Sequence, residues 1–359
     1  MTTPDQQPQQ PPRNGEHQPQ QGPPGQQNAV AQPPHGAPGG PGAHAQAEPR
    51  TDGTAIASPP PPPQAHPLAG GTGGAWGYAS PIPLRRTHLG HAVASEWTKI
   101  RSVRSTVWTL GVMFLLTVGI GLLTALGLSG GTFTGMPLLA PGLFGLMLGQ
   151  ICIITLGVLV ITSEYGTGMI RTTMTACPNR GRVLVAKSLI FFLLAFCMTT
   201  VACTITALIN SALLSDQEIP PFARQMEEFE GSIEAGRLVA DSSQWLGATV
   251  GAGLYVALLG LLALAVGALM RHSAGAITAM LGLVLLPLVM SLFMAGESLR
   301  KVREFLVEYS PLNGLASLYR MPMAGEDQNA TGWPLLGILA AVTAVALAAA
   351  YAMLNSRDV

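Results

Sequence analysis

Long runs of apolar residues, separated by short polar segments, fill most of the chain after residue 100. Six of these runs have a length and composition that suit a lipid bilayer. They cover residues 107–128, 141–162, 183–214, 245–270, 274–295 and 333–354. About 20 apolar residues in a helix cross the roughly 30 Å of hydrocarbon in a bilayer. The pattern therefore predicts an all-α polytopic membrane protein with six transmembrane helices.

A different pattern precedes the first run. From residue 89 onward, apolar residues recur at intervals of three or four, which places them on one face of a helix. They are Leu89, Val93, Trp97, Ile100, Val103 and Val107. The remaining positions include Lys99, Arg101 and Arg104. A basic helix with Trp97 on its apolar face is typical of the membrane surface. We therefore predict an amphipathic N-terminal interfacial helix in contact with membrane lipid. The alternative is a plain juxtamembrane anchor whose charges only set the topology.

Composition separates the start of the chain from the rest. Twenty of the 29 prolines lie at or before Pro83, in a segment rich in Gln and Gly. So few apolar residues cannot offset the conformational entropy that folding would cost. We predict a disordered Pro/Gln/Gly-rich cytoplasmic tail over residues 1–83 and a folded membrane domain over residues 84–359.

The distribution of charge predicts the orientation. Only 11% of the residues are charged and the formal net charge is zero, which gives no reason to expect nucleic acid as a partner. Basic residues concentrate in the tail, the 163–182 loop and the turn at Arg271, so the positive-inside rule places these segments and both termini in the cytoplasm. The uncharged segment 129–140 and the acidic segment 215–244 are then external.

The last long loop, 296–332, fits that orientation least well, because it carries four basic residues although it is external. Its apolar residues share one helical face and predict a second amphipathic helix, at the outer leaflet. They are Leu299, Val302, Phe305, Leu306 and Tyr309. Lysine accounts for only three of 19 basic residues, a usage that suggests a GC-rich bacterial gene and hence the bacterial plasma membrane.

The predicted spans contain almost no ionisable side chains. Apart from Lys187, they contain no Asp, Glu, Lys or Arg. Proton-driven transporters need ionisable groups inside the membrane, so the pattern argues against a self-powered proton antiporter, although a sodium site built from carbonyls and hydroxyls remains possible. Residues 181–188 have P-loop spacing, but Ala186 replaces a required glycine. We expect no nucleotide, metal or cofactor site and no enzyme activity, and we interpret Lys187 as an interfacial anchor that extends toward the lipid headgroups.

Three pairs of glycines have the small-xxx-small spacing that lets helices approach closely. They are Gly127/Gly131, Gly145/Gly149 and Gly247/Gly251. Such pairs also arise by chance in a chain with 42 glycines.

The 163–182 loop is the most distinctive segment of the chain. Glu164 follows the second span, and Gly166 and Gly168 are expected to end its helix. Residues 169–176 can form a short helix that stops near Pro178. This loop either fixes the topology through its basic residues or presents a short helix to a cytoplasmic partner.

Two motifs resemble those of the permease subunits of ABC-2 type transporters, especially actinomycete ones. One is the Ser-Glu-Trp-Thr-Lys-Ile-Arg-Ser sequence at 95–102, and the other is the Glu-Tyr-Gly-Thr-Gly-Met-Ile-Arg-Thr sequence at 164–172 with Pro-Asn-Arg-Gly-Arg at 178–182. A weaker match is Ser-Pro-Leu-Asn at 310–313. The resemblance covers residues 84–359. Where the family often has a second glycine or an acidic residue before the glutamate, this chain has Thr162 and Ser163.

The resemblance implies a role for each motif. The first helix would lie along the inner membrane face, and the loop after span two would carry a coupling helix that docks into a separate ABC ATPase subunit, which binds the ATP. Residues implied in this coupling are Glu164, Met169, Arg171, Thr172 and Arg180. Two permease chains, identical or different, would assemble with two ATPases.

These observations predict the permease subunit of an ATP-driven exporter for an amphipathic or lipid-like substrate. The pathway between two chains would be lined by hydroxyl groups, which are those of Thr155, Thr199, Thr200, Thr204, Thr206 and Ser211. The alternatives are a membrane anchor or signalling scaffold with a Pro-rich recruiting tail, and a secondary transporter.

Overall fold

The computed structural model describes residues 88–131, 133, 135–169, 172, 180–222, 233–234, 236–294, 296–323 and 332–356. The predicted tail, Arg171 and most of the predicted coupling helix lie outside these residues.

Helices account for nearly all of the described chain. In order they are α1 (Leu89–Ser102), α2 (Arg104–Ser129), α3 (Pro141–Gly166), α4 (Arg180–Leu214), α5 (Ser242–Leu246), a π-helical turn (Gly247–Gly251), α6 (Ala252–Met270), α7 (Ser273–Phe293), a 3₁₀ turn (Glu297–Leu299), α8 (Arg300–Glu308), α9 (Pro311–Leu318) and α10 (Gly332–Ser356). Two short antiparallel strands, β1 (Ile233–Glu234) and β2 (Arg237–Leu238), pair residue 233 with 238 and 234 with 237.

The six predicted spans are confirmed. Within the described residues, six helices are long and apolar enough to cross a membrane, over Arg104–Ser129, Pro141–Gly166, Gly181–Leu214, Ser242–Met270, Ser273–Phe293 and Gly332–Ser356. The fourth span is continuous from α5 through the π-helical turn into α6. Its π-helical turn is the one irregularity that the apolar pattern gave no reason to expect.

The predicted N-terminal helix is also present, as α1. Val103 separates it from α2, because its extended backbone (φ −82°, ψ 108°) cannot continue a helix. Ile100 is buried, whereas Trp97 is 47% exposed. Glu96 departs from the expected pattern, since it is buried together with Ile100.

We call the end of the bundle that carries α1, the 167–179 loop and the α6–α7 turn the proximal end, and the opposite end the distal end. The core lies around α3 and the fourth span, which are the most enclosed of the six spans, while α7 is the least enclosed.

Glycines allow the backbone of α3 to approach the backbones of its neighbours closely. A Cβ at Gly157 would overlap the carbonyl oxygen of Gly260, and a Cβ at Gly145 would overlap that of Thr117.

Two of the three glycine pairs therefore serve close packing. Gly145 and Gly149 lie against α2, and Gly247 and Gly251 lie against Leu318 of α9. At Gly127 the described part of the chain places no atom within 4 Å of an added Cβ, so close packing among the described residues does not require this glycine.

The predicted second amphipathic helix is present at the distal end as α8. Its apolar face is not covered by the described residues, since Val302, Phe305 and Tyr309 are all exposed. The following helix, α9, is instead enclosed, and Leu315 and Ala316 are fully buried. The chain thus leaves the bundle in α8 and returns to it in α9.

Candidate functional site

The end of α3 has the form that the glycines predict. The helix stops at Gly166, Thr167 donates its N–H to the carbonyl of Ser163 at 3.1 Å, and Gly168 has a left-handed φ of 71°. A residue with a Cβ would be strained at that φ. Met169 and Thr172 are helical and exposed, and the Thr172 hydroxyl donates to the carbonyl of Met169 at 2.8 Å. The chain therefore turns sharply away from α3 where the coupling helix was predicted to begin.

A cluster of four charged side chains lies beside this turn. Lys187 of α4 places its Nζ 2.7 Å from Glu96 Oε2 and 2.9 Å from Glu164 Oε1. Lys99 of α1 places its Nζ 2.8 Å from Glu164 Oε1 and 3.3 Å from Glu96 Oε1. We call these residues the proximal charge cluster. It joins α1 to α3 and α4, the two helices that flank the 167–179 loop.

Three members of the proximal charge cluster are almost completely buried. Lys187 is 2%, Glu96 4% and Glu164 6% exposed. Removing such charges from water is costly unless they are paired. Here two carboxylates face two ammonium groups, so the cluster is neutral and each ammonium contacts both carboxylates. Glu164 Oε2 is buried without a hydrogen-bond partner in the described part of the chain.

Lys99 is the most accessible member, with 31% of its side chain exposed. Partial burial opposes its charge, but the hydrogen bond from Lys99 to Glu164 and the charges of Glu96 and Glu164 outweigh this effect. The pKa of Lys99 therefore lies above its ordinary value of 10.5, and the ammonium stays charged at neutral pH.

The interpretation of Lys187 as an anchor that extends to the lipid headgroups was wrong. Its side chain points into the protein, because two carboxylates there compensate the cost of burial. Glu96 was not recognised as a site residue at all. One signal in the sequence could have found this pairing. Lys187 is the single ionisable residue in the predicted spans, a lone lysine at such depth needs a partner, and Glu96 and Glu164 are acidic residues before the first span and directly after the second.

The neighbour of Glu164 makes a second contact at the proximal end. The guanidinium carbon of Arg271, in the α6–α7 turn, lies 5.2 Å from the ring centroid of Tyr165. The last turn of α3 is thus held by Glu164 to α1 and α4, and by Tyr165 to the turn between the fourth and fifth spans.

The other predicted site residues do not join the cluster. Trp97, Arg101 and Arg104 are exposed, and their contact with the membrane surface stays a prediction. Arg180 is the first residue of α4. Arg171 lies outside the described residues.

The hydroxyls predicted to line a pathway between chains fall into two groups. Thr199 and Thr206 are buried inside this chain, so they cannot face a pathway on its surface in this conformation. Thr155, Thr200, Thr204 and Ser211 are partly exposed.

The fold defines a polytopic α-helical membrane protein with buried charges on α1, α3 and α4 at the proximal end. Residues 94–359 match the family described as ABC-2 family transporter protein, which is most of the chain, and the protein belongs to that family. No curated protein shows a significant sequence match to the chain. Family membership makes the protein a membrane permease component of an ABC transporter, partnered by an ABC ATPase subunit.

Proposed function

We propose that the protein is the transmembrane subunit of an ATP-driven exporter, with the proximal end and both termini in the cytoplasm. The observation that carries this proposal is the proximal charge cluster. It ties α1 and both helices that flank the 167–179 loop into one unit. A force applied to that loop by a cytoplasmic partner would therefore reach three helices together.

The energy would come from the partner, because the segment with P-loop spacing cannot hold a phosphate. Residues 181–188 lie within α4 throughout, whereas a P-loop wraps the phosphates with non-helical backbone. Lys187, at the position of the phosphate-binding lysine, is enclosed and bound to two carboxylates. ATP binding to the ATPase subunit would shift the permease only if the ATPase binds its two conformations with different affinity.

The location of charge supports the proposed orientation. Lys99, Arg101, Arg104 and Arg271 all lie at the proximal end, in or beside short connections. Basic residues in short connections are retained on the cytoplasmic side. The short strands β1 and β2 and helices α8 and α9 would then be external.

The proposed cargo is an amphipathic or lipid-like molecule. The outward-facing surface of the spans is apolar, and its polar residues include the partly exposed Thr155, Thr204 and Ser211. Such a surface suits apolar chains with a small polar head better than free ions, whose hydration it cannot replace.

Co-purification tests the proposal. Tagged full-length protein should recover a soluble P-loop ATPase from membranes. Glu164→Gln should weaken the complex or the coupling of ATP hydrolysis to export, because Lys99 and Lys187 both lose the negative charge of this partner. Glu304→Gln is the matched control, since Glu304 lies on α8 with a side chain that is 46% exposed.

A second variant, Arg171→Glu, tests the predicted coupling helix directly by reversing a charge that the family resemblance assigns to it. If no P-loop ATPase is recovered and both Arg171→Glu and Glu164→Gln leave export unchanged, the proposal is wrong. Export that continues without any ATPase would instead favour a secondary transporter.

A further inference from the structure

The contact between Tyr165 and Arg271 links two parts of the chain that are distant in sequence. A guanidinium within about 6 Å of an aromatic ring centroid is attracted by the negative face of the ring. Arg271 meets this condition, with its guanidinium carbon 5.2 Å from the centroid of Tyr165. The Tyr165 hydroxyl and Arg271 Nε are buried without hydrogen-bond partners among the described residues. Tyr165 is thus a partner of this guanidinium through its ring.

The backbone of Arg271 gives an independent reason to look for a role of its side chain. Arg271 ends α6 in the left-handed conformation, with φ 54° and ψ 17°, and its N–H donates to the carbonyl of Gly267 at 2.9 Å. Glycine is the usual residue at this position, because a Cβ makes the conformation unfavourable. A turn that needed only to cap α6 would be better served by glycine.

Arg271 lies in the turn between α6 and α7, so a movement of Arg271 could be passed to the fourth and fifth spans. Gly267, one turn earlier, allows α6 to lie close to α3, since an added Cβ would be 3.2 Å from the carbonyl oxygen of Val158. The fifth span, α7, begins directly after the turn and is the least enclosed span. Its first residues follow the turn directly, so a movement of the turn would reach them.

We propose that Tyr165 and Arg271 couple the loop after the second span to the fourth and fifth spans. Glu164 and Tyr165 are consecutive residues at the end of α3. One holds α1 and α4 through the proximal charge cluster, and the other holds the α6–α7 turn. When α3 is displaced by a partner at the loop, Arg271 follows the Tyr165 ring and moves the start of α7 with it. Arg271 acts here as a positioning residue.

This inference rests on the proposed function, because it needs a nucleotide-driven push at the loop. The experiment uses the full-length protein in nanodiscs with the ATPase that co-purifies with it. Amide hydrogen exchange is measured without nucleotide and with ADP trapped by vanadate. Peptides from the end of α3 report the push, and peptides from the start of α7 report its transmission.

Arg271→Gly separates a coupling role from a capping role. Glycine relieves the left-handed backbone, so the variant should fold at least as well as the unaltered protein and should bind the ATPase equally. The nucleotide-dependent change in exchange should persist at the end of α3. At the start of α7 it should fall by about 2- to 30-fold, the range that corresponds to the loss of a cation–π contact.

Tyr165 provides a matched pair of variants that does not alter the turn. Tyr165→Phe keeps the ring and should behave like the unaltered protein, whereas Tyr165→Leu removes the ring and should resemble Arg271→Gly. This pair decides the question if Arg271→Gly fails to fold.

The outcomes distinguish the two proposals. If the unaltered protein shows no nucleotide-dependent change at the end of α3, both the proposed function and this inference are wrong. If that change is present but α7 does not respond, or responds equally in Arg271→Gly and Tyr165→Leu, only the coupling through Arg271 is wrong.

Discussion

The two ends of the helix bundle are held together by different physical interactions. At the proximal end, buried charges and a cation–π contact join helices that are far apart in sequence. At the distal end, backbone contacts at glycines hold α9 against the bundle, and the hydrogen bonds of one buried amide join α9 to the segments directly before and after it. Charge pairs tolerate small shifts of the helices that carry them, because an ammonium group can donate in several directions. Backbone contact at a glycine has no such freedom.

The distal arrangement centres on Leu318 and Asn313 of α9. Leu318 is surrounded by glycines, because an added Cβ at Gly247 or Gly332 would come within 2.6 or 2.9 Å of its backbone. The side chain of Asn313 donates to the carbonyl of Glu308 at 2.9 Å and accepts from the N–H of Met323 at 2.7 Å. These contacts explain the Ser-Pro-Leu-Asn motif: Ser310 accepts from the N–H of Asn313 and caps α9, and Pro311 starts the helix.

The largest effect is expected from Lys187→Met at the proximal end. The substitution leaves Glu96 and Glu164 buried with only Lys99 to compensate them, which should cost about 3–5 kcal/mol of unfolding free energy. The measurement is the unfolding midpoint of the purified protein in detergent. Lys301→Met is the matched control, because Lys301 is exposed on α8. Adding Glu164→Gln to Lys187→Met should restore part of the stability, and a double variant that is no more stable than Lys187→Met would contradict the pairing.

At the distal end, Asn313→Leu should cost about 2–3 kcal/mol, because a buried carbonyl and a half-buried N–H lose their partners. Asn355→Leu, at an exposed position of α10, controls for the change in side chain. We expect this variant to lose stability but to retain association with the ATPase. A loss of association without a loss of stability would show that the two ends are not separate in function.

Gly247→Ala should have a smaller effect, of about 1–3 kcal/mol, because the new methyl group must displace α9 from its backbone contact. The described chain places no atom within 4 Å of an added Cβ at Gly337 in α10, so Gly337→Ala should be neutral in the same unfolding measurement. Equal stability of the two variants would contradict tight packing of the distal end.

The smallest effect is expected at a partly exposed ion pair of the distal end, where Arg320 lies 2.7 Å from Asp241 Oδ2. Slight burial raises the pKa of Asp241, but its hydrogen bonds from the Gln244 N–H and Arg320 outweigh this and place the pKa below its ordinary value of 3.8. The stabilisation is therefore present above pH 4 and is lost as the pH falls through the lowered pKa.

Asp241→Asn keeps the helix cap but removes the charge, so it should cost less than about 1 kcal/mol at pH 7. Unfolding midpoints measured from pH 7 to pH 3 should converge for the two proteins at the acidic end. A difference that grows with acidity would contradict the ion pair as its source.

The apolar pattern was sufficient to predict the spans, because their length and hydropathy reflect local transfer into lipid. The helix break after the second span was equally predictable, since Gly166 and Gly168 determine the local backbone. Contacts between residues that are far apart in the sequence could not be predicted in this way. Lys187 has the same appearance in the sequence as a lysine at a membrane surface, and only the arrival of Glu96 and Glu164 from other helices directs it inward. The orientation of the chain in the membrane and the role of the 169–176 segment remain predictions.

Neighbouring residues alone were therefore enough to identify the apolar segments, the basic loop between the second and third spans, and the motifs that resemble a known family. Tertiary structure alone decided that Glu96, Lys99, Glu164 and Lys187 form one neutral cluster and that Arg271 meets Tyr165. Such contacts depend on how helices pack, and packing brings together residues as far apart in sequence as Lys187 and Glu96, which are separated by 91 positions. The tertiary structure also shows that α1, α4 and the α6–α7 turn all contact the end of α3, where the loop after the second span begins.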